Sequence, residues 1–113
     1  MKFEKIVDGV TEYLSDKIYP TMVGWQKIVA ADVVSRAIRW AEAYLNNPDS
    51  KSFLRALGYI DGENNVDVQG ITSALKKHIA EKGGKWKVKI PLMPVLVFSE
   101  EDLDDLLEYI EKE

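Results

Sequence analysis

Residues 85–110 read KWKVKIPLMPVLVFSEEDLDDLLEYI, and this stretch decides the fold because its hydrophobic period changes along it. Trp86, Val88 and Ile90 alternate with lysines, which is typical of a strand with one buried and one solvent-exposed face. PLMP at 91–94 predicts a chain reversal and VLVF at 95–98 predicts a second strand. The two strands are therefore predicted to form a two-stranded antiparallel β-hairpin.

A helix is predicted directly after the hairpin. Ser99 can cap its first turn, and the acidic residues that follow are favourable beside the positive end of the helix dipole. Helical spacing gives this last helix a core-facing stripe of Leu103, Leu106, Leu107 and Ile110.

Two further helices are predicted before residue 47. The first spans residues 2–17 and ends because Pro20 disfavours helical geometry at Tyr19. The second spans residues 22–46, and about half of its circumference is apolar. We expect this long helix to be the spine of the domain, packed by other elements on two neighbouring sides, with Trp40 in the core.

Two shorter helices complete the predicted order. Asn47 is a natural N-cap with Pro48 at the first helical position, and Gly58 is a natural C-cap. Asp67 caps a helix that Gly83 and Gly84 end. The chain is thus predicted to form one α+β, mostly α domain over residues 1–113, with about five helices, a long central helix and a C-terminal hairpin.

Composition excludes several kinds of chemistry and indicates where the protein is located. The 113 residues are 46% hydrophobic, carry a net charge of −4 and include no cysteine, which excludes disulfides, Cys-ligated zinc and thiol catalysis. Residues 1–14 lack the uninterrupted apolar region of a signal peptide, and no stretch is long and apolar enough for a membrane span. A soluble, cytoplasmic protein is expected.

The known sequence motifs for catalysis and metal binding do not match this chain, and the mismatch can be assigned to particular residues. The turn at 61–67 has alternating oxygen side chains but carries Val66 and Thr72 where a calcium loop needs glycine and glutamate. His78 is the only histidine, so no second histidine is present to share a metal ion with it. The Gly83-Gly84 pair follows a predicted helix and precedes a predicted strand, whereas a phosphate-binding loop follows a strand and precedes a helix. We therefore expect no catalytic residue, no cofactor and no metal site.

Charge is strongly polarised near the C-terminal end. Residues 76–89 have a net charge of +5 and residues 99–113 a net charge of −7. Lys85, Lys87 and Lys89 could form a basic strand face for nucleic acid, with the hairpin as the wing of a winged-helix-like accessory protein. The alternative is that they keep a strand face soluble, helped by partial neutralisation from the acidic last helix.

The preferred prediction is a non-enzymatic protein–protein interaction or regulatory module. Its candidate partner-binding residues are Asp104, Asp105 and Glu108 on the acidic helix and Leu92 and Met93 at the predicted hairpin tip. The partner is a protein of unknown identity, with nucleic acid as the less favoured alternative. Homodimerisation stays open because one short chain offers little cover for the apolar arc of the long helix.

Four segments carry a resemblance, LGYID at 57–61, NVDVQGI at 65–71, KVKIPL at 87–92 and VF at 97–98. Together with the length of the chain, they resemble a group of small proteins of prophages and mobile elements in Gram-positive bacteria. That group has no assigned activity, so the resemblance implies a genomic setting and no functional residues. By analogy, host-interaction, regulatory or assembly factors are expected more often than enzymes.

Overall fold

The computed structural model describes residues 1–89 and 95–112, so the predicted reversal at 91–94, with Leu92 and Met93, lies outside the described residues. The described chain is mostly helical with one small antiparallel sheet, as predicted. Its elements are α1 (Phe3–Tyr13), α2 (Gly24–Asn46), α3 (Pro48–Ala56), α4 (Val68–Glu81), β1 (Trp86–Val88), β2 (Leu96–Phe98) and α5 (Glu100–Glu111).

The closest helix pair joins α1 to α5. Gly9 is buried so tightly against α5 that a Cβ there would lie 2.5 Å from the Cα of Ile110. Tyr13 packs its ring edge-on against Tyr109, with 5.6 Å between ring centroids. Tyr109 also donates its hydroxyl hydrogen to Asp16 Oδ2 at 3.0 Å. The first and last helices therefore form the centre of the fold.

The first helix is shorter than predicted. Regular α-helix ends at Tyr13 and is followed by a wider π-helical turn, Leu14–Ile18, and a 3-10 turn, Tyr19–Thr21, that contains Pro20. Proline is tolerated in the first turn of a helix, where its missing N–H leaves no hydrogen bond unmade. The chain therefore continues as helical turns through Pro20, and α2 begins only at Gly24.

The hairpin register places the aromatic residues on the inner face. Trp86 pairs with Phe98 and Val88 with Leu96, so all four lie on one side of the sheet, and each is half-buried. The Trp86 ring meets the His78 ring of α4 edge-on, with 5.5 Å between centroids. The inner face of the hairpin therefore contacts α4 through Trp86, β2 lies beside α5, and the predicted strands are confirmed.

Helix boundaries follow the predicted caps. Asn47 Oδ1 accepts from the N–H groups of Asp49 and Ser50, at 2.9 and 3.3 Å, to start α3. Asp67 Oδ1 accepts from Gly70 N at 3.0 Å to start α4. Ser99 and Asp102 bond each other's backbone N–H at the start of α5. Side-chain oxygen at these positions satisfies N–H groups that have no partner within the helix.

The prediction that α2 is a spine covered on two sides was wrong. Its closest neighbour is α3, and Ala30 is its only buried residue. Trp40, expected in the core, is 68% exposed, because α1 uses its apolar face on α5 and is not available to cover α2. The buried hydrophobic core of the described residues is small: Tyr13, Met22, Ala30, Ile60, Ile79, Leu103 and Ile110.

Candidate functional site

An open apolar cleft separates the two halves of the helical array. Its volume is about 520 Å³, within the range of roughly 300–1,000 Å³ typical of ligand pockets. The second half of α2, with α3, forms one wall, and the apolar stripes of α1, α4 and α5 form the other. The lining residues are Phe3, Ile6, Trp40, Ala41, Tyr44, Leu45, Leu54, Tyr59, Ile60, Val66, Val68, Ile71, Thr72, Leu75, Leu103, Leu106, Leu107 and Ile110.

Helical periodicity explains why the cleft is apolar. Ala41, Tyr44 and Leu45 recur at i, i+3 and i+4 on α2. Ile71 and Leu75 are one turn apart on α4 and face the same space. Thr72, Tyr44 and Tyr59 supply the side-chain hydroxyls among the lining residues, and the other lining side chains are hydrocarbon except for the indole of Trp40. Burial of an apolar guest on such a surface is favourable by about 25 cal/mol per Å² of surface removed from water.

The cleft adjoins a second, polar cavity of about 490 Å³, here called the acidic mouth. Phe3 and Leu45 line both spaces, so the two are adjacent. Lys2 is the single base in the mouth, and its Nζ donates to the Glu63 carbonyl oxygen at 3.1 Å. The remaining lining residues are Glu4, Glu42, Asn46, Glu63 and Asn64, which leaves the mouth with an excess of negative charge.

The acidic candidates on α5 do not line the cleft. Asp104 Oδ1 lies 2.6 Å from Lys76 Nζ of α4, and this hydrogen bond raises the pKa of Lys76. Asp105 and Glu108 are exposed and lie roughly opposite the buried Leu103 and Ile110 on the helix circumference. The structure therefore keeps the three acids on one helix but engages Asp104 with α4, leaving Asp105 and Glu108 to solvent.

The three strand lysines share the outer side of the hairpin. Lys85, Lys87 and Lys89 are exposed, and Lys87 pairs in register with Val97, which is also exposed. Among the described residues, ion pairs within 4.0 Å form at Arg36, Lys76 and Lys112 and at none of these three lysines. In the described part of the chain, the ion pair between the basic segment and α5 is Lys76–Asp104, whose lysine lies on α4 and not on the strand.

The predicted turn at 61–67 uses its oxygens internally. Asp61 Oδ1 accepts from the backbone N–H of Glu63 at 2.8 Å and of Asn65 at 2.9 Å. These hydrogen bonds, led by those from Asn65, lower the pKa of Asp61. Within residues 1–89 and 95–112, no group of three or more His, Asp or Glu side chains is arranged to hold a metal ion.

Sequence reasoning missed the cleft and the closest helix contact. The cleft residues on α2 and α4 were assigned to the core, since periodicity shows which face is apolar and not whether another element covers it. Gly9 carried a readable signal, because glycine inside an otherwise regular helix commonly marks a close approach of backbone.

The fold and its surfaces define a mostly helical α+β domain with an open apolar cleft. Comparison with known proteins adds no relative: no family model, no curated protein and no solved structure matches the chain. In the part of the chain that the structure describes, no helix combines the length and the apolar character needed to cross a membrane.

Proposed function

We propose that this protein is a non-enzymatic protein-interaction module that holds an amphipathic helical segment of a partner protein in the apolar cleft. The observation that carries the proposal is that the apolar cleft and the acidic mouth lie side by side and share Phe3 and Leu45 as lining residues. An occupant that matches both spaces has an apolar face and a basic end.

A helix in a groove is a common mode of peptide recognition, with apolar anchors at positions i, i+3, i+4 and i+7. Leu54 and Leu75 on opposite walls would contact such anchors. Glu42 and Glu63 in the mouth would attract lysine or arginine at the end of the segment and repel an acidic one. Asp105 and Glu108 lie on the side of α5 that faces away from the cleft, and this contact does not need them.

A prophage or mobile-element origin and a cytoplasmic location belong to the same proposal. The resemblance at residues 57–71 supports the origin, and the absence of cysteine is compatible with a reducing compartment.

Selection from a displayed random-peptide library tests the proposal without knowledge of the partner. We expect enriched peptides to carry apolar residues at helical spacing and Lys or Arg at one end. Their affinity should fall at least tenfold for Leu54→Gln and for Leu75→Gln. Val97→Gln, a change at an exposed apolar residue outside the cleft, is the matched control and should leave affinity unchanged.

Charge exchange tests the mouth separately. Glu42→Lys with Glu63→Lys should weaken the basic-ended peptides and strengthen versions with Glu at that end. Failure of the library to enrich any peptide above background contradicts the proposal. So does enrichment of peptides that bind the two cleft variants and the wild type equally, provided circular dichroism shows that all variants are folded.

Nucleic-acid binding is a second candidate, favoured by one observation. Lys85, Lys87 and Lys89 are exposed together, and no acidic side chain pairs with them in the described chain. Changing all three to Ala should abolish salt-dependent binding of a random DNA or RNA duplex, measured by fluorescence anisotropy. Binding that survives the triple change, or no binding by the wild type at low salt, contradicts this candidate.

A further inference from the structure

Helix α2 presents a second apolar surface outside the cleft. Trp25, Val29, Val33 and Trp40 fall within about 80° of the helix circumference and are here called the outer stripe. Trp25 is 53% exposed and Trp40 is 68% exposed. Ile28 beside the stripe is 74% exposed. Isolated exposed apolar residues are common on proteins, but Trp25 and Trp40 lie at the two ends of one helix face that also carries Val29 and Val33.

The accessible surface is larger than the average for a folded monomer of this mass. A monomer of 12.8 kDa exposes about 6,300 Å² on average, whereas this chain exposes 7542 Å². The radius of gyration of 14.8 Å likewise exceeds the roughly 13 Å expected for a compact domain. The walls of the open cleft and the outer stripe both contribute to this extra exposed surface.

The outer stripe is complementary to itself. Trp25 and Trp40 are fifteen residues apart, a distance of about 22 Å along the helix. In an antiparallel pair of α2 helices centred between Asp32 and Val33, Trp25 of each copy faces Trp40 of the other. The Asp32–Arg36 ion pair, 3.0 Å long, lies near this centre, so the antiparallel arrangement brings the two Asp32 carboxylates together beside the axis with an Arg36 guanidinium on each side of them.

We propose that a second copy of this chain covers the outer stripe, with the two α2 helices packed antiparallel across a twofold axis near Asp32 and Val33. A twofold interface uses the same patch on both copies, which the symmetric placement of the two tryptophans provides. This interface is distinct from the cleft and does not depend on the function proposed for it. Only Trp40, at the rim of the cleft, belongs to both surfaces.

Sedimentation equilibrium over a wide range of protein concentrations tests the assembly. The wild type should approach twice the monomer mass, and Trp25→Glu or Val33→Glu should raise the dimer dissociation constant at least tenfold. Phe53→Glu is the matched control, because Phe53 is equally exposed on α3 but lies outside the stripe. A monomer at every concentration, or a dimer insensitive to Trp25→Glu, overturns the proposal.

Cysteine cross-linking tests the orientation, since the chain has no cysteine of its own. Asp32→Cys should form a disulfide-linked dimer under mild oxidation, because the two positions lie beside the axis. Ala43→Cys should not, because antiparallel packing holds these positions far apart. Cross-linking at Ala43→Cys, or its absence at Asp32→Cys in a preparation that still dimerises, overturns the antiparallel arrangement.

Peptides selected from the library should still bind the Trp25→Glu variant. The two proposals can therefore be tested separately. A variant that loses dimerisation but still binds peptides reports on the outer stripe, and a variant that still dimerises but no longer binds peptides reports on the cleft.

Discussion

Replacing Gly9 by Ala should separate α1 from α5. The added Cβ would lie 2.5 Å from Cα and 2.8 Å from N of Ile110, and 2.9 Å from O of Tyr109. All three are backbone atoms, so no side-chain rotation relieves the contact. Overpacking costs about 1–3 kcal/mol or more, and Ala in a helix interior recovers about 1 kcal/mol relative to Gly. Because backbone atoms are in the way and one helix must shift bodily, the cost lies at the upper end of that range, about 3 kcal/mol, and the net loss in the free energy of unfolding should be about 2 kcal/mol.

Urea unfolding followed by circular dichroism at 222 nm measures this loss. With a denaturant slope of about 1.5 kcal/mol per molar, the unfolding midpoint should fall by roughly 1 M. Gly24→Ala is the matched control, because no heavy atom lies within 4 Å of a Cβ at that position. It should leave stability unchanged or raise it slightly. A Gly9→Ala protein as stable as the wild type would refute the close packing of α1 on α5.

Two further predictions concern ionisation and capping. Burial, and next the nearby carboxylates of Asp102 and Asp105, raise the pKa of Tyr13 above 10.0. Its stabilising contribution is therefore present below pH 10.0 and lost as the pH rises through the raised pKa, so stability should fall less steeply above pH 10.0 in Tyr13→Phe than in the wild type. Urea midpoints at a series of alkaline pH values measure this, and identical slopes contradict it. Ser99→Ala should lower the free energy of unfolding by about 1 kcal/mol in thermal melts, with Ser99→Thr close to the wild type; equal losses in both would show that the hydroxyl is not the cause.

Local signals predicted the secondary structure well. The caps at Asn47, Asp67 and Ser99 act as expected, because each depends on hydrogen bonds within a few residues. The change of period at Trp86 correctly located the hairpin. The first helix was predicted too long because a π-helical turn uses the same residue types as an α-helix and differs only in its hydrogen bonding.

Tertiary arrangement was predicted less well. The broad apolar arc of α2 predicted a helix packed on two sides, which was wrong, because periodicity does not identify what covers an apolar face. Trp40 was placed in the core because it lies within that arc, whereas the structure leaves it at the rim of a cleft. The acidic and basic segments were recognised from composition. The Lys76–Asp104 ion pair that joins the two segments links residues 28 positions apart and leaves no local signal.

The pairing of α1 with α5 has a consequence for the order of folding. Glu12 and Lys112, whose side chains lie 3.0 Å apart, are separated by 100 residues, so their helices meet only after a large loop closes. During synthesis, α1 leaves the ribosome long before its partner helix exists. Its apolar stripe must stay exposed through the translation of every intervening element, and the nascent chain would need protection, from a chaperone or a transient contact, during that interval.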